Sequence, residues 1–276
     1  MISSKFARTS IHICLLIFGF IWIYPFIWMV LSSFKTNTEF LSGGPNPIPA
    51  EFQWDNYVRA WTSANFSSYF VNTVIFTVST VLIVLVLSAL TGYVLGRIQF
   101  PGRKVIIFIV VAIMFIPKGY TIIPLFKIVS ALGLSDSILG VIVAESSGAH
   151  VLFILLFASF FAKIPKELEE AAEIDGAGFL RTFSQIMLPL SAPIIATAGI
   201  MQFIWTWSSF LIPLIFTANR PELRTLAVGM ENFVGTYTSD YVGMTAAATI
   251  SLVPVMVLFL LMQRFFIEGV AGAVKS

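Results

Sequence analysis

Residues 163–193 read KIPKELEEAAEIDGAGFLRTFSQIMLPLSAP, a polar, helix-forming run between two long apolar stretches. So many charges cannot lie inside a bilayer, so this is a structured loop between membrane spans. Pro165 suits a first helical position, where its missing N–H costs nothing. Glu167, Glu169, Glu170 and Glu173 follow, acids near a helix N-terminus that the macrodipole favours. Leu168, Ala171, Ala172 and Asp175 fall at i, i+3, i+4 and i+7 and share one flat face of mostly small residues. Gly176 and Gly178 end that helix. A second helical pattern puts Phe179, Phe183, Ile186 and Leu190 on one side, and Pro189 and Pro193 mark the turn back into the membrane. A short helix, a glycine hinge and a second helix suit a docking knob for a soluble partner. A solvated linker helix is the alternative reading.

The rest of the chain sets the context for that loop. Of 276 residues, 58% are hydrophobic and 11% are charged, and the mean hydropathy is +0.92. A soluble domain carries about 25% charged residues. The composition is that of an integral membrane protein. One cysteine, Cys14, lies in the first apolar stretch, which leaves no disulfide framework. His12 and His150 are too far apart in sequence to read as a metal pair. There is no P-loop pattern and no G-x-G-x-x-G on a strand, so the chain binds no nucleotide of its own. Nothing points to nucleic acid. The first apolar stretch shows no small-residue cleavage site and is read as a retained span.

A spanning helix needs about 20 mainly apolar residues. Six candidates follow, at about 11–33, 69–96, 105–126, 138–162, 192–216 and 243–267. The expected fold is all-α and integral to the membrane: one domain over residues 1–276, with six transmembrane helices. The helix-turn-helix loop 163–191 joins the fourth to the fifth. Lys and Arg set the orientation. With the termini inside, inner loops hold Lys5, Arg8, Arg97, Arg103, Lys104, Lys163, Lys166, Arg181, Arg264 and Lys275. Outer loops hold Lys35, Arg59, Lys118, Lys127, Arg220 and Arg224. The bias puts both termini and the 163–191 loop in the cytoplasm.

Within the spans, Gly92 and Gly96 form a G-x-x-x-G pair that predicts close helix packing. Pro117, Gly119 and Pro124 predict a kinked or broken third span. Glu145 stands inside the fourth apolar stretch, where an acid is costly and faces a cavity or a partner. With Ser146 and Ser147 it is a candidate for hydrogen bonding a polyol; His150 is read as satisfying a local bond. Trp205, Trp207 and Ser208 near the end of the fifth span are further pathway candidates, because indole rings stack on sugar C–H faces. Core or interfacial Trp is the plain alternative. In the first outer loop, Trp54, Tyr57 and Trp61 read as an interfacial amphipathic helix.

Glu170-Ala171-Ala172, Gly176 and Ile186-Met187-Leu188-Pro189 together resemble the EAA signature of bacterial ABC importer permeases. Its form is EAA, three residues, G, nine residues, then I-x-L-P. Tyr24–Met29 and Ser32–Lys35 resemble the first helix of maltose-type permeases, and Gly269–Lys275 is similar to the ending of carbohydrate permeases. Trp207-Ser208 stands where the family often has W-N, which puts any contact inherited from that Asn in doubt. The resemblance implies a maltose-G-like subunit of an ABC sugar importer in the bacterial cytoplasmic (inner) membrane. It implies that Glu170, Ala171, Ala172, Asp175, Gly176 and Ala177 form a coupling helix docked on an ATPase subunit. It implies as partners a second permease subunit, two ATPase subunits carrying the ATP and Mg, and an extracytoplasmic solute-binding protein, which the last outer loop, Thr217–Tyr241 with Thr225–Met230 in it, approaches. No cofactor is expected on this chain. The alternatives are an ABC permease for glycerol phosphate or another small polar solute, and a secondary transporter using Glu145 as an ion site.

Overall fold

The computed structural model describes residues 5–63, 65–147, 150–235 and 239–274. Gly148, Ala149 and Lys275, and the side chains of Lys5, Lys118 and Arg264, lie outside the described residues. The helices in chain order are α1 Lys5–Ser32, α2 Asn37–Ser42, α3 Asp55–Ser63, α4 Phe66–Arg97, α5 Arg103–Ile113, α6 Lys118–Ala131, α7 Ile138–Ser147 and α8 Val151–Lys163. Then come α9 Glu167–Ile174, α10 Phe179–Thr182, α11 Leu188–Leu190, α12 Ala192–Trp207, α13 Leu211–Phe216, α14 Leu226–Gly229 and α15 Tyr241–Val274. Among the described residues the only β pairing is an isolated bridge between Val234 and Ser239. An all-helical chain is what a bilayer demands, since each helix satisfies its own backbone.

The chain divides into two compact units, one of Met1–Ser67 with Gly229–Val253 and one of Ser68–Val228 with Pro254–Ser276. In the first, α1 presents apolar side chains all round; Leu16 is 73% and Trp22 76% exposed. That surface would be an aggregation site in water and is at home in lipid or against another membrane helix. The segment that follows α1 is held by polar bonds at the foot of that helix. Asn56 Nδ2 donates to the Ser33 and Lys35 carbonyl oxygens, both at 2.8 Å. The buried Lys35 ammonium donates to the Asn46 carbonyl. Asp240 draws α2, α3 and the start of α15 together, accepting from Asn37 Nδ2 at 3.1 Å and pairing with Arg59 at 3.1 Å. Of the three aromatics expected on a helix here, two are: Tyr57 and Trp61 lie on α3, while Trp54 precedes it and packs edge-on against Phe34.

The second unit carries the larger core. α4 crosses α8 where the glycine pair predicted close approach. A Cβ on Gly92 would stand 2.5 Å from Phe157 Cβ, and one on Gly96 would stand 2.6 Å from the Ala158 carbonyl oxygen. Around this crossing Phe153, Phe157, Phe161, Met187 and Ala198 are fully buried. A second cluster joins Phe76, Val129, Val141, Ala144 and Phe216.

Among the described residues three helices are long and apolar enough to span a membrane unbroken: Arg8–Ser32 within α1, Phe66–Arg97 and Tyr241–Gln263. They overlap the expected spans at 11–33, 69–96 and 243–267. The other three expected spans are interrupted. The stretch 105–126 breaks between α5 and α6 at Pro117, as predicted, while Pro124 sits inside α6. The stretch 138–162 is α7 and α8, bent by 56°. The stretch 192–216 is α12 and α13, parted at residues 208–210.

Filling the α4–α8 crossing overpacks two backbones at once. Gly92→Val should destabilise the protein by about 1–3 kcal/mol. Gly199→Ala is the control, because its Cβ would meet only Leu85 Cδ1 at 3.5 Å, and it should be neutral. Thermal unfolding in detergent checks both.

Candidate functional site

The 163–191 loop folds as a helix, a tight turn and a second helix. The acids cluster at the N-terminal turn of α9, where unpaired N–H groups favour them. The helix ends in paired C-terminal bonds: the Ala177 N–H donates to the Ala172 carbonyl at 2.8 Å and the Gly176 N–H to the Glu173 carbonyl at 3.0 Å. Gly176 has φ +75°, the left-handed conformation this ending requires and glycine tolerates best. The second helix is α10, a π turn over Phe183–Met187, and α11. The sequence pattern placed Phe179, Phe183, Ile186 and Leu190 on one side. The extra residue in the π turn moves burial to Met187 and Ser191, leaving Leu190 46% exposed. The loop then meets α12 at 77°, where Pro189 and Pro193 marked the turn.

Of the six predicted docking residues, Glu170, Ala171, Asp175 and Gly176 are exposed, Ala177 is half-buried and Ala172 is 5% exposed. Ala172 therefore faces the chain's own body rather than solvent. The outward surface gains residues the sequence reading missed. Ile174 is 86% and Leu180 70% exposed, apolar side chains next to the acids of a polar loop. The signal for them was present: the pattern of buried positions has no use for either.

What fixes the loop to its base is Arg97, the last residue of α4. Its Nε donates to Glu169 Oε2 at 2.8 Å, and Nη2 reaches the same oxygen. Nη1 donates to the Ile164 carbonyl at 2.6 Å, just past the end of α8. Tyr93, one turn earlier on α4, donates its hydroxyl to Glu169 Oε1 at 2.8 Å. The Tyr93 ring stacks on Phe179 at 5.3 Å and contacts Phe183 at 5.4 Å. The Arg97 side chain is 5% exposed and that of Glu169 24%, so water does little to screen the pair. One face of α4 thus grips both helices of the loop and the end of α8.

The pathway candidates separate. Glu145 is 8% exposed and accepts a hydrogen bond from Ser209 Oγ at 2.8 Å. It lines a cavity of about 300 Å³ with Trp205, Ser209 and residues of α6 and α13. Trp205 is 41% exposed and stacks on Phe153 at 5.3 Å. Trp207 is buried between Phe70 and Phe203 and is core. Ser147 and Ser208 turn their hydroxyls onto helix carbonyls, of Ala144 and Ile204, and Ser146 Oγ is buried away from the cavity lining. His150 Nε2 lies 3.1 Å from the Glu145 carbonyl, the local bond expected. Segment Thr225–Met230 turns inward: Thr225, Leu226 and Val228 are buried, and the Leu226 N–H donates to Thr73 Oγ1 at 2.8 Å.

Residues 2–272 match the family described as binding-protein-dependent transport system inner membrane component. The chain belongs to that family. This inner membrane component is 36% identical over 274 residues to the diacetylchitobiose uptake system permease protein NgcG of Streptomyces coelicolor, covering 99% of this chain and 88% of that one. It is 31% identical over 273 residues to the trehalose/maltose transport system permease protein MalG of Thermococcus litoralis, covering 98% and 97%. Its fold matches a chain in the crystal structure of a bacterial ABC transporter involved in the import of the acidic polysaccharide alginate. There the TM-score is 0.83, with 23% identity over 96% of this chain and 98% of the other. It is thus a multi-pass membrane permease, a transport subunit rather than an enzyme, in a system that depends on a binding protein and an ATPase.

Arg97→Met strips Glu169 of its cation at a site largely closed to water. The permease should lose on the order of 2 kcal/mol. Adding Glu169→Leu should return part of that loss, and a double-variant cycle of thermal unfolding in detergent measures the coupling.

Proposed function

We infer that the chain is one of two membrane-spanning permease subunits of an ATP-driven ABC importer. It moves a di- or oligosaccharide from an extracytoplasmic binding protein into the cytoplasm by alternating access. The observation that carries this reading is the 163–191 loop: it is fixed to its base through Glu169 of α9 yet presents Glu170, Ile174, Asp175 and, from α10, Leu180 outward. A linker helix has no need of exposed apolar residues beside its acids. A lever that must fit a cleft needs both, and it needs a rigid root.

In this reading the whole chain acts as one permease domain with six spans, the interrupted helices completing three of them. Both termini and the loop 163–191 face the cytoplasm. Two ATPase subunits hold the ATP and Mg, and each receives one loop, this chain's and that of a second permease. Glu170 and Asp175 pair with basic or amide groups of the ATPase, Ile174 and Leu180 fill its apolar cleft, and Ala171 allows close approach. Ala172 keeps the helix seated, Gly176 sets the turn and Ala177 closes it. When the ATPases close on ATP they push α9. Arg97, Tyr93 and Glu169 pass that displacement to the ends of α4 and α8 without slack. The saccharide assignment is supported by the relatives, whose names specify diacetylchitobiose and trehalose or maltose.

Gly176→Val forces a β-branched residue to φ +75° although nothing lies within 4 Å of the new Cβ, so its effect is on the turn alone. It should abolish ATP-dependent sugar uptake in proteoliposomes while the protein still inserts. Gly176→Asn, which tolerates that conformation, should keep most uptake. Ile174→Asp should leave thermal stability unchanged and lose the ATPase on co-purification. Normal uptake by Gly176→Val together with ATPase retained by Ile174→Asp would sink the coupling assignment.

A further inference from the structure

We propose that this subunit itself holds the saccharide in transit, at a subsite built from Glu145, Ser209 and Trp205; the proposal rests on the importer reading above. The cavity they line, about 300 Å³, is at the small end of the range for ligand pockets, about 300–1,000 Å³. It suits one end of a saccharide rather than a whole oligomer.

The placement of the cavity is the first argument. Its lining comes from Gly119, Ile122 and Leu125 of α6, Glu145 of α7, Trp205 of α12 and the 209–212 segment that opens α13. Each of those four elements begins or ends at a helix interruption or bend within an expected span: Pro117 before α6, the 56° bend between α7 and α8, and residues 208–210 between α12 and α13. Broken helices at membrane depth free backbone polar groups that lipid cannot satisfy. They are tolerated where they are buried in protein or face a water-filled cavity. Three interruptions gathered on one cavity mark a polar path rather than three packing accidents.

The chemistry of the lining is the second. A saccharide offers hydroxyl donors around its rim and an apolar C–H face. A carboxylate accepts several hydrogen bonds. Glu145 is held for that purpose by Ser209 Oγ, whose own oxygen can accept a further hydroxyl. Trp205 supplies a flat apolar wall, kept in place by its stack on Phe153. Ile122, Leu125, Leu211 and Ile212 complete an apolar surround. An ion site reads differently. Cation sites gather several carboxylates or imidazoles, and among the described residues no group of three or more His, Cys, Asp and Glu side chains stands together.

The test uses the complete transporter, with both permeases, the ATPases and the binding protein, in proteoliposomes. Wild type is first offered maltose, trehalose and diacetylchitobiose with internal ATP. Import of none of them overturns the sugar-importer reading, and the subsite with it. With an imported sugar as probe, Glu145→Gln and Trp205→Leu should each lower sugar moved per ATP hydrolysed about tenfold. Binding-protein-stimulated ATP hydrolysis should stay at the wild-type rate, which a merely structural Glu145–Ser209 bond would not allow. In a Cys14→Ser background, a Leu211→Cys variant, at the rim of the same cavity and with Glu145, Ser209 and Trp205 intact, should react more slowly with a maleimide when the sugar is being transported. Unchanged sugar per ATP in the Glu145→Gln and Trp205→Leu variants, with no protection of the Leu211→Cys variant, would overturn the subsite and leave the importer reading standing.

Discussion

The guanidinium of Arg97 is where the second unit of this chain is tied off. A helix C-terminus leaves carbonyls without partners, and the Phe161 and Ile164 carbonyls at the end of α8 both face Arg97. That meeting depends on Gly92 and Gly96. They bring the backbone of α4 against α8 one residue before Arg97, so the cation arrives already within reach. Glu169 then neutralises it, and Tyr93 takes the other carboxylate oxygen. Two stripes on one helix, Gly92–Gly96 and Tyr93–Arg97, do separate jobs in sequence: the first sets a distance and the second uses it.

The two sites share a plan. The 163–191 loop is short and polar, and it is bonded at its root through Arg97 and Glu169. The cavity of Glu145 is lined by elements that stop short and are braced from beside, by Phe153 under Trp205 and by Ser209 on the carboxylate. Between them α8 buries Phe153, Phe157 and Phe161 in one apolar cluster, with the rings of Phe157 and Phe161 stacked at 6.0 Å. Close-packed interiors transmit displacement. α8 begins beside the cavity and ends at Arg97, so one helix connects the proposed lever with the proposed path.

Most of this architecture was legible in the sequence. Hydropathy located α1, α4 and α15, the glycine pair predicted the α4–α8 crossing, Pro117 predicted the break, and Gly176 predicted the turn. The misses have a common cause. Hydropathy sums over a window and is blind to where a span bends, so 138–162 and 192–216 read as single helices. Four glutamates follow Pro165, and nothing local distinguishes Glu169 from the rest; its partner is 72 residues away. Trp205 and Trp207 look alike in sequence, yet α12 turns one toward a cavity and the other into the core. The π turn that exchanges Leu190 for Met187 has no sequence signature at all.

Arg97 also has a history within each molecule. Spans are made in order, and α4 leaves the ribosome well before α8 and α9 exist. In the orientation proposed above, Arg97 is during that interval an unpaired cation at a span end, the kind of residue that holds a helix end in the cytoplasm during insertion. Only later does the same charge disappear under Glu169. Its position is therefore fixed twice, once by biogenesis and once by the finished fold. A cation moved one turn along α4 would still orient the span as it inserts, yet would leave the loop without its latch.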